Sequence, residues 1–322
     1  MRDSMRIAVS GAAGFVGANL VKALRLRGVE AIPIVRAVDE RARALGDALP
    51  IDDVLRDARL LDGIDVLVHL AAIRHRHGTR VADYYASNVD LVAGLLAVCE
   101  GRVRRFVHVS SVGVYGFPER LPITEAYPYA PETLYSTTKV EAERALRRAA
   151  REIEIVIARP TIVYGRGDVN GMLDKMAAMI RAGRYRIVGD GRNTLHHTHV
   201  DDLVDGLWLA ATAPAARGED FIFAGPETTT LARLSELVAR AVGKRLPAVR
   251  VPLPLARAVA TGVDIAMHHG LVSSSREPPV NHEKLDVMTR SIAFDFGKAR
   301  RLLGYAPRVG YEEGTARTLG SG

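Results

Sequence analysis

The chain has a single cysteine, Cys99, among its 322 residues. A lone thiol excludes intramolecular disulfides, and a reducing cytoplasm is the expected setting. Lysine is scarce as well, supplying only six of the 44 basic residues. The remaining cations are arginines interleaved with acids, as in Asp39-Glu40-Arg41 and Glu141-Ala142-Glu143-Arg144. The net charge of +7 is therefore dispersed, which argues against a nucleic-acid partner. Long apolar runs are missing too. The best candidate, Leu253 to Leu271, is broken by Arg257 and Asp264, so the ~18 uninterrupted residues of a membrane span are not reached and no membrane partner is expected. The first apolar stretch, Ile7 to Val9, runs straight into a glycine loop and reads as structure, not as a secretory leader. Histidines cluster at 75 and 77, at 196, 197 and 199, and at 268 and 269. No cysteine pair or H-E-x-x-H motif accompanies them, so no metal is expected.

What is present is an ordinary globular balance, 48% hydrophobic and 25% charged, with chain enough for one large or two modest domains. The first half alternates short β-rich runs with helix-like runs, the pattern of a parallel sheet with crossover helices. Arg6–Ser10, Glu30–Arg36, Asp65–Ala71, Arg105–Ser110 and Ile153–Ala158 read as strands. Phe15–Arg27, Tyr84–Glu100 and Glu132–Arg151 read as helices, and the charged stretch Ala37–Asp57 should hold a short helix and a further strand. After Pro160 the rhythm changes. Helices are predicted near 171–183, 201–213, 231–242 and 297–303, between longer loops rich in Gly and Pro. Ser273–Pro279 has the composition of a mobile segment.

Gly11, Gly14 and Gly17 fall between the first strand and a helix, in a G-x-x-G-x-x-G spacing that includes Phe15 and Val16. Such glycines let the backbone turn tightly and approach a pyrophosphate, which then faces the helix N-terminus. In that strand–turn–helix setting the signal for a nicotinamide dinucleotide is strong. An NAD-preferring loop usually ends its second strand with an acid on the ribose hydroxyl. Here Val35 stands at that place and Arg36 follows, a guanidinium able to grip a 2′-phosphate, so the reading favours NADP over NAD. By position, Asp53 and Val54 should edge the adenine ring, and Leu70, Ala71 and Ala72 should end a strand beneath the cofactor. Arg74 follows on that loop, with His75, Arg76 and His77, either facing an anion or solvated. Asn88 is expected to brace backbone or a water near the cofactor.

Tyr135 and Lys139 lie at i and i+4 near the start of a helix, on one face. A tyrosine of ordinary pKa is a poor base at neutral pH, and a neighbouring ammonium favours its phenolate. Ser111, directly after a strand, can hydrogen-bond a substrate oxygen beside that tyrosine and is preferred over Ser110. Tyr115 reads as packing or as a substrate wall. Cys99 lies on an apolar helix face, as a small core residue.

GAAGFVG at 11–17, HLAA at 69–72, HVSSVGVYG at 108–116, YSTTK at 135–139, ARPTIVYG at 158–165, HVDD at 199–202 and KARRLLGYAP at 298–307 together resemble the extended short-chain dehydrogenase/reductases, the NAD-dependent epimerase/dehydratase group. The resemblance covers essentially the whole chain. It implies an α/β fold, a Rossmann-type doubly wound parallel sheet with a smaller C-terminal substrate lobe. The dinucleotide domain would take residues 1–164 plus about 195–224, and the substrate lobe about 165–194 plus 225–322. It also implies a Ser111–Tyr135–Lys139 triad, a cofactor contact at Pro160, and a homodimer through a four-helix contact.

The departures from the group's pattern matter. Val112 and Gly113 stand where the group's 4,6-dehydratases carry an Asp-Glu pair, so dehydration is not expected. Thr161 stands near the Asn that many sugar-nucleotide epimerases place on substrate phosphate. Leu195-His196-His197 stands where many have a diphosphate-clamping arginine. Arg166, Arg184, Arg186 and Arg192 are the cations available to replace it. The first expectation is a nucleotide-sugar 4-epimerase or 4-ketoreductase, with Ser111, Val112, Thr161, Arg192 and His196 toward the substrate. The alternatives are a hydroxysteroid-type or other secondary-alcohol dehydrogenase, favoured by the missing phosphate contacts and the apolar stretch Val251–Val263, and a non-catalytic dinucleotide-binding protein.

Overall fold

The computed structural model describes residues 5–74, 78–149, 152–169, 171–247, 249–269 and 281–320. Seven strands form one parallel sheet: β1 (Arg6–Ser10), β2 (Glu30–Val35), β3 (Leu49–Pro50), β4 (Val66–His69), β5 (Arg105–Val109), β6 (Glu154–Pro160) and β10 (Asp220–Phe223). Their order is β10-β6-β5-β4-β1-β2-β3. The order reverses between β1 and β4, so a crevice opens beyond the carboxyl ends of those two strands, where such sheets bind ligands. The strands are apolar on both faces because helices cover both. Ile7, Val9, Val66, Val68, Val107 and Val109 face α1 (Phe15–Leu26) and α8 (Val200–Thr212). Ala8, Leu67 and Phe106 face α3 (Ile51–Arg56), α5 (Leu91–Cys99) and α6 (Leu134–Ala149). Cys99 is buried in that second cluster.

Helix α1 buries Leu20, Val21 and Leu24 at helical spacing. Helix α6 differs, since its buried face also carries Lys139 and Glu143. Charged groups on the buried side of a helix are costly unless partnered, which marks this face as a site. Strand β10 is the sheet's edge, and Glu125 Oε1 accepts the outward Ile222 N–H at 2.9 Å.

A second core lies beyond the sheet. Leu173, Met176 and Ile180 of α7 (Met172–Arg181), Leu234, Leu237 and Val238 of α9 (Leu231–Ala241), and Tyr311 of α13 (Tyr311–Leu319) make it. Two short sheets join this lobe to the first: β7 (Ile162–Tyr164) with β9 (His197–His199), and β8 (Thr194–Leu195) with β11 (Thr229–Thr230). The apolar stretch Val251–Val263 is not a loop. It enters α10 (Leu253–His268), where Pro254 sits in the first turn and needs no N–H partner. Ala256 and Ala260 pack on Leu285 of α11 (His282–Thr289), while Leu255, Val259 and Ile265 stay exposed. The predicted mobile segment Ser273–Pro279 lies outside the described residues. Helix α12 (Gly297–Leu303) has the predicted bounds.

Candidate active site

The glycine loop packs its backbone against the end of β4. Gly11 has φ +74°, and a Cβ there would lie 2.7 Å from the Ala71 nitrogen. A Cβ at Gly17 would come within 2.3 Å of the Gly11 carbonyl oxygen. No side chain caps α1 at Gly14, so its first turn, with Phe15 and Val16, opens on the crevice by backbone alone. Gly167, in the loop after β7, comes close to the Phe15 ring from the other lobe. A backbone cradle that one methyl would fill, set at a helix N-terminus, fits the pyrophosphate of a dinucleotide. Arg36 is exposed just past buried Val35, with no ion pair among the described residues.

One expectation on the cofactor side needs correction, and the Asn88 brace takes a definite form. Strand β3 ends at Pro50 and the chain turns at once into α3. Val54 therefore points into the core at 0% exposure, and Asp53 accepts from Arg56 at 3.0 Å, so the pair does not present itself to an adenine ring. Asn88 is fully buried in a π-helical turn, Ala86–Asp90, between α4 (Val81–Tyr85) and α5. Its Oδ1 accepts from Ile73 N at 2.8 Å, and its Nδ2 donates to Ile73 O and to Thr138 Oγ1, each at 3.0 Å. Thr138 in turn donates to Tyr135 O at 2.8 Å. Asn88 thus clamps the floor segment Leu70–Ala71–Ala72–Ile73 to the helix of Tyr135, and its amide is spent on that brace. Such π-turns concentrate at functional sites, and nothing in residue spacing announces them. Arg74 comes next. Its carbonyl accepts from Tyr84 at 3.1 Å, and its exposed guanidinium lies in electrostatic reach of Tyr135 and Asp168. His75, Arg76 and His77 lie outside the described residues.

Ser111, Tyr135 and Lys139 come together at the carboxyl end of β5. Ser111 starts a 3-10 turn and accepts from Gly113 N at 3.1 Å. Its hydroxyl shares a hydrogen bond with the Tyr135 phenol. The Lys139 ammonium lies 5.9 Å from the Tyr135 ring centroid and donates to Val109 O at 2.8 Å. Burial pushes the Tyr135 phenol up to about 12, against the Arg74 charge and the Ser111 bond. Burial pulls Lys139 down to about 8, and Glu143 opposes it. The Tyr135 phenol is therefore neutral as it stands, and further positive charge beside it would favour release of its proton. Ser110 faces the other way, donating to Glu143 Oε1 at 2.5 Å.

Behind the triad lies a buried charged network that sequence reading missed. Arg159 donates to both Glu143 oxygens, Nε to Oε1 at 3.0 Å and Nη2 to Oε2 at 2.6 Å. It also donates to Tyr115 at 2.7 Å and to Tyr129 at 3.0 Å, and pairs with Asp220 at 2.9 Å. Tyr115 is thus packing, as one of its two readings held. The one available signal was an acid four residues after Lys139, facing an Arg-Pro at a strand end.

On the substrate side the structure closes several expected contacts. Val112 turns into an apolar cluster with Val114, Tyr115, Ile123 and Phe294. The Thr161 hydroxyl bonds Thr198 Oγ1 at 2.8 Å, both buried. His196 accepts from Phe294 N at Nδ1 (3.1 Å), which leaves Nε2 to donate to Gly225 O (3.0 Å). Both ring nitrogens are used, and burial keeps the imidazole neutral. Thr161 and His196 are therefore internal struts. Arg192 remains exposed, and Pro160 is buried at the end of β6. Asp202 accepts from the backbone of Arg308 and Val309 at 2.9 and 3.0 Å, a bond across to the C-terminal segment. Among the described residues no group of His, Cys, Asp and Glu converges to hold a metal ion, and no helix is long and apolar enough to cross a membrane.

Residues 7–224 match the model of the NAD dependent epimerase/dehydratase family. The chain is 30% identical over 321 residues to a 4-hydroxy-2-methyl-3-oxo-4-farnesyl-3,4-dihydroquinoline-1-oxide ketoreductase of Stigmatella aurantiaca, covering 96% of this chain and 94% of that one. It is 33% identical over 336 residues to a 3 beta-hydroxysteroid dehydrogenase/Delta 5-->4-isomerase of Mycobacterium tuberculosis, covering 94% and 86%. The fold matches a UDP-glucuronic acid 4-epimerase from Bacillus cereus in complex with NAD, at TM-score 0.77 and 24% identity over 98% of this chain and 97% of that one.

Proposed function

The chain belongs to the NAD dependent epimerase/dehydratase family and is an enzyme of its epimerase, dehydrogenase and reductase range, and from that premise we propose that it interconverts an apolar secondary alcohol and its ketone, with NADP as the preferred dinucleotide. The observation that carries the choice is the closed state of Thr161 and His196. These stand where nucleotide-sugar members hold substrate diphosphate, and here their polar atoms are spent inside the protein. A diphosphate would find no partner there, whereas an apolar substrate needs none. The two curated relatives, a farnesyl-quinoline ketoreductase and a hydroxysteroid dehydrogenase by name, support the same direction. The nucleotide-sugar reading keeps the fold match but would need Arg166, Arg184, Arg186 or Arg192 as a new clamp.

The glycine loop, the Leu70–Ala72 floor, Arg74 and Arg36 would hold the dinucleotide, with Pro160 at the end of β6. A dinucleotide held there would supply the hydride acceptor for oxidation and the hydride donor for reduction. Ser111 orients the substrate oxygen by a hydrogen bond. Tyr135 takes the carbinol proton in oxidation and returns a proton to the carbonyl oxygen in reduction. Lys139 holds a positive charge beside the ring, and a bound oxidised nicotinamide would add the further charge that favours release of that proton.

The test is NADPH oxidation by the purified chain with a 3-oxosteroid ketone, beside a panel of UDP-, GDP- and dTDP-sugars screened by melting temperature. The expected result is turnover of the ketone, lost by roughly 10²-fold or more in Tyr135→Phe while NADPH still binds. A melting shift or turnover confined to the sugar nucleotides would overturn the assignment.

A further inference from the structure

The catalytic helix buries two charges one turn apart, Lys139 at 1% and Glu143 at 0% exposure. Only Lys139 belongs to the triad. Glu143 is the most heavily bonded carboxylate near it, receiving Ser110 and Tyr129 hydroxyls, two arms of Arg159 and, more distantly, Arg147. Arg159 lies between the faces of Tyr115 and Tyr129, with ring centroids at 5.3 and 5.5 Å. A buried ion pair is a poor device for stability alone, because apolar residues of similar volume often do as well or better. Its placement suggests another purpose. Ser110 adjoins Ser111, Tyr115 ends the turn that Ser111 starts, Arg159 sits on β6, and Glu143 follows Lys139 by one helical turn.

We propose that Glu143 is a positioning residue for the Ser111–Tyr135–Lys139 site. Its carboxylate ties the loop of Ser111 and the strand of Arg159 to the helix of Tyr135 and Lys139, and its charge keeps the buried Lys139 ammonium protonated. The inference rests on the hydride-transfer reading above. The other groups facing Lys139 do not supply that charge. His69 on β4 and His108 on β5 lie within its field, and burial keeps both imidazoles neutral. Tyr135 on the same helix is a neutral phenol in the absence of further charge. Arg159 and Arg147 pair with Glu143, so removing the carboxylate takes from Lys139 the charge that opposes its burial.

The experiment reads Lys139 directly and needs no substrate. The chain has six lysines, so the side-chain carbon resonances of 13C-labelled lysine are few, and Lys139→Arg assigns the relevant one. In the parent that resonance should titrate near 8. In Glu143→Gln it should titrate lower by about one pH unit, a tenfold loss of proton affinity. Glu143→Asp should restore it, and Ser110→Ala, which leaves the carboxylate in place, should not move it. If Glu143→Gln does not fold, the paired Glu143→Gln, Arg159→Met chain removes both charges and should shift Lys139 in the same direction. In the 3-oxosteroid assay, Glu143→Gln should lose about tenfold in kcat with NADPH affinity unchanged. A Lys139 titration unmoved in Glu143→Gln or, where that chain does not fold, in the paired Glu143→Gln, Arg159→Met chain, or full kcat in a folded Glu143→Gln protein, would overturn the proposal. Failure of the underlying reading looks different: the parent would be inert toward ketones, or Tyr135→Phe would remain active, with the lysine titration still decided.

Discussion

Replacing Gly11 by alanine separates the two reasons a glycine stands in the first loop. Gly11 and Gly28 share the same left-handed backbone, φ +74° at each. Around Gly28 an added Cβ would meet nothing within 4 Å. Gly28→Ala should therefore cost only the backbone term, about 1–2 kcal/mol. At Gly11 the same Cβ would meet Ala71 N at 2.7 Å, Ala71 Cα at 2.9 Å and Leu70 C at 3.0 Å. All three are backbone atoms just past the β1–β4 ladder, where Leu70 N donates to Ser10 O at 3.0 Å, so the two segments must part by several tenths of an ångström. That overpacking adds roughly 1–3 kcal/mol. Gly11→Ala should thus lose roughly 2–5 kcal/mol, a large fraction of the ~5–15 kcal/mol a native fold commands. Because the strain opens the crevice itself, NADPH affinity should fall at least about tenfold, some 1.4 kcal/mol, while Gly28→Ala binds like the parent. Urea unfolding gives the first quantity and quenching of NADPH fluorescence the second. Equal stability losses at the two positions, or an unchanged NADPH affinity in Gly11→Ala, would refute the close-approach argument.

Arg36→Asp should reverse the cofactor preference from NADPH to NADH, read as the ratio of the two dissociation constants; an unaltered ratio would remove Arg36 from the 2′-phosphate. Arg159→Met strands Glu143 without its main partner and should destabilise by about 3–5 kcal/mol, whereas the paired Glu143→Leu, Arg159→Met chain should recover most of that loss in urea unfolding. His69 and His197 have folded pKa values drawn down to about 3 from 6.5 by burial, and His108 is lowered too. An unfolded histidine binds a proton that these buried rings refuse, so their share of stability is complete above pH 6.5 and drains away as pH falls toward 3. Among the described residues His108 has no hydrogen-bond partner on either nitrogen, so His108→Phe should unfold at a higher urea concentration than the parent at pH 5, with the gap narrowing at pH 8.

Much of the cofactor half was legible because its signals are local. The glycine spacing, the apolar strand runs and the i, i+4 pair Tyr135–Lys139 each lie within a few residues. Reading failed where a short element displaced the count. Strand β3 has two residues, so counting toward Asp53 overshot the strand end at Pro50. The helix α10 was hidden by prolines that a first helical turn tolerates. Asn88 was assigned the right kind of role, a brace, but only the π-turn reveals that Ile73 and Thr138 consume its amide.

Sequence by itself therefore determined the parallel α/β architecture, the glycine-loop cradle and the placing of Tyr135 and Lys139 on one helix face, because backbone geometry and helical periodicity act over one or two turns. The tertiary structure alone decided which polar atoms remain free for a ligand. Thr161 meets Thr198, His196 meets Phe294 and Gly225, and Glu143 meets Arg159 and Ser110. Those partners lie 16 to 98 residues apart in the chain. A buried donor or acceptor must find some partner, but no local rule says which one, so the shape and polarity of the substrate pocket follow from packing.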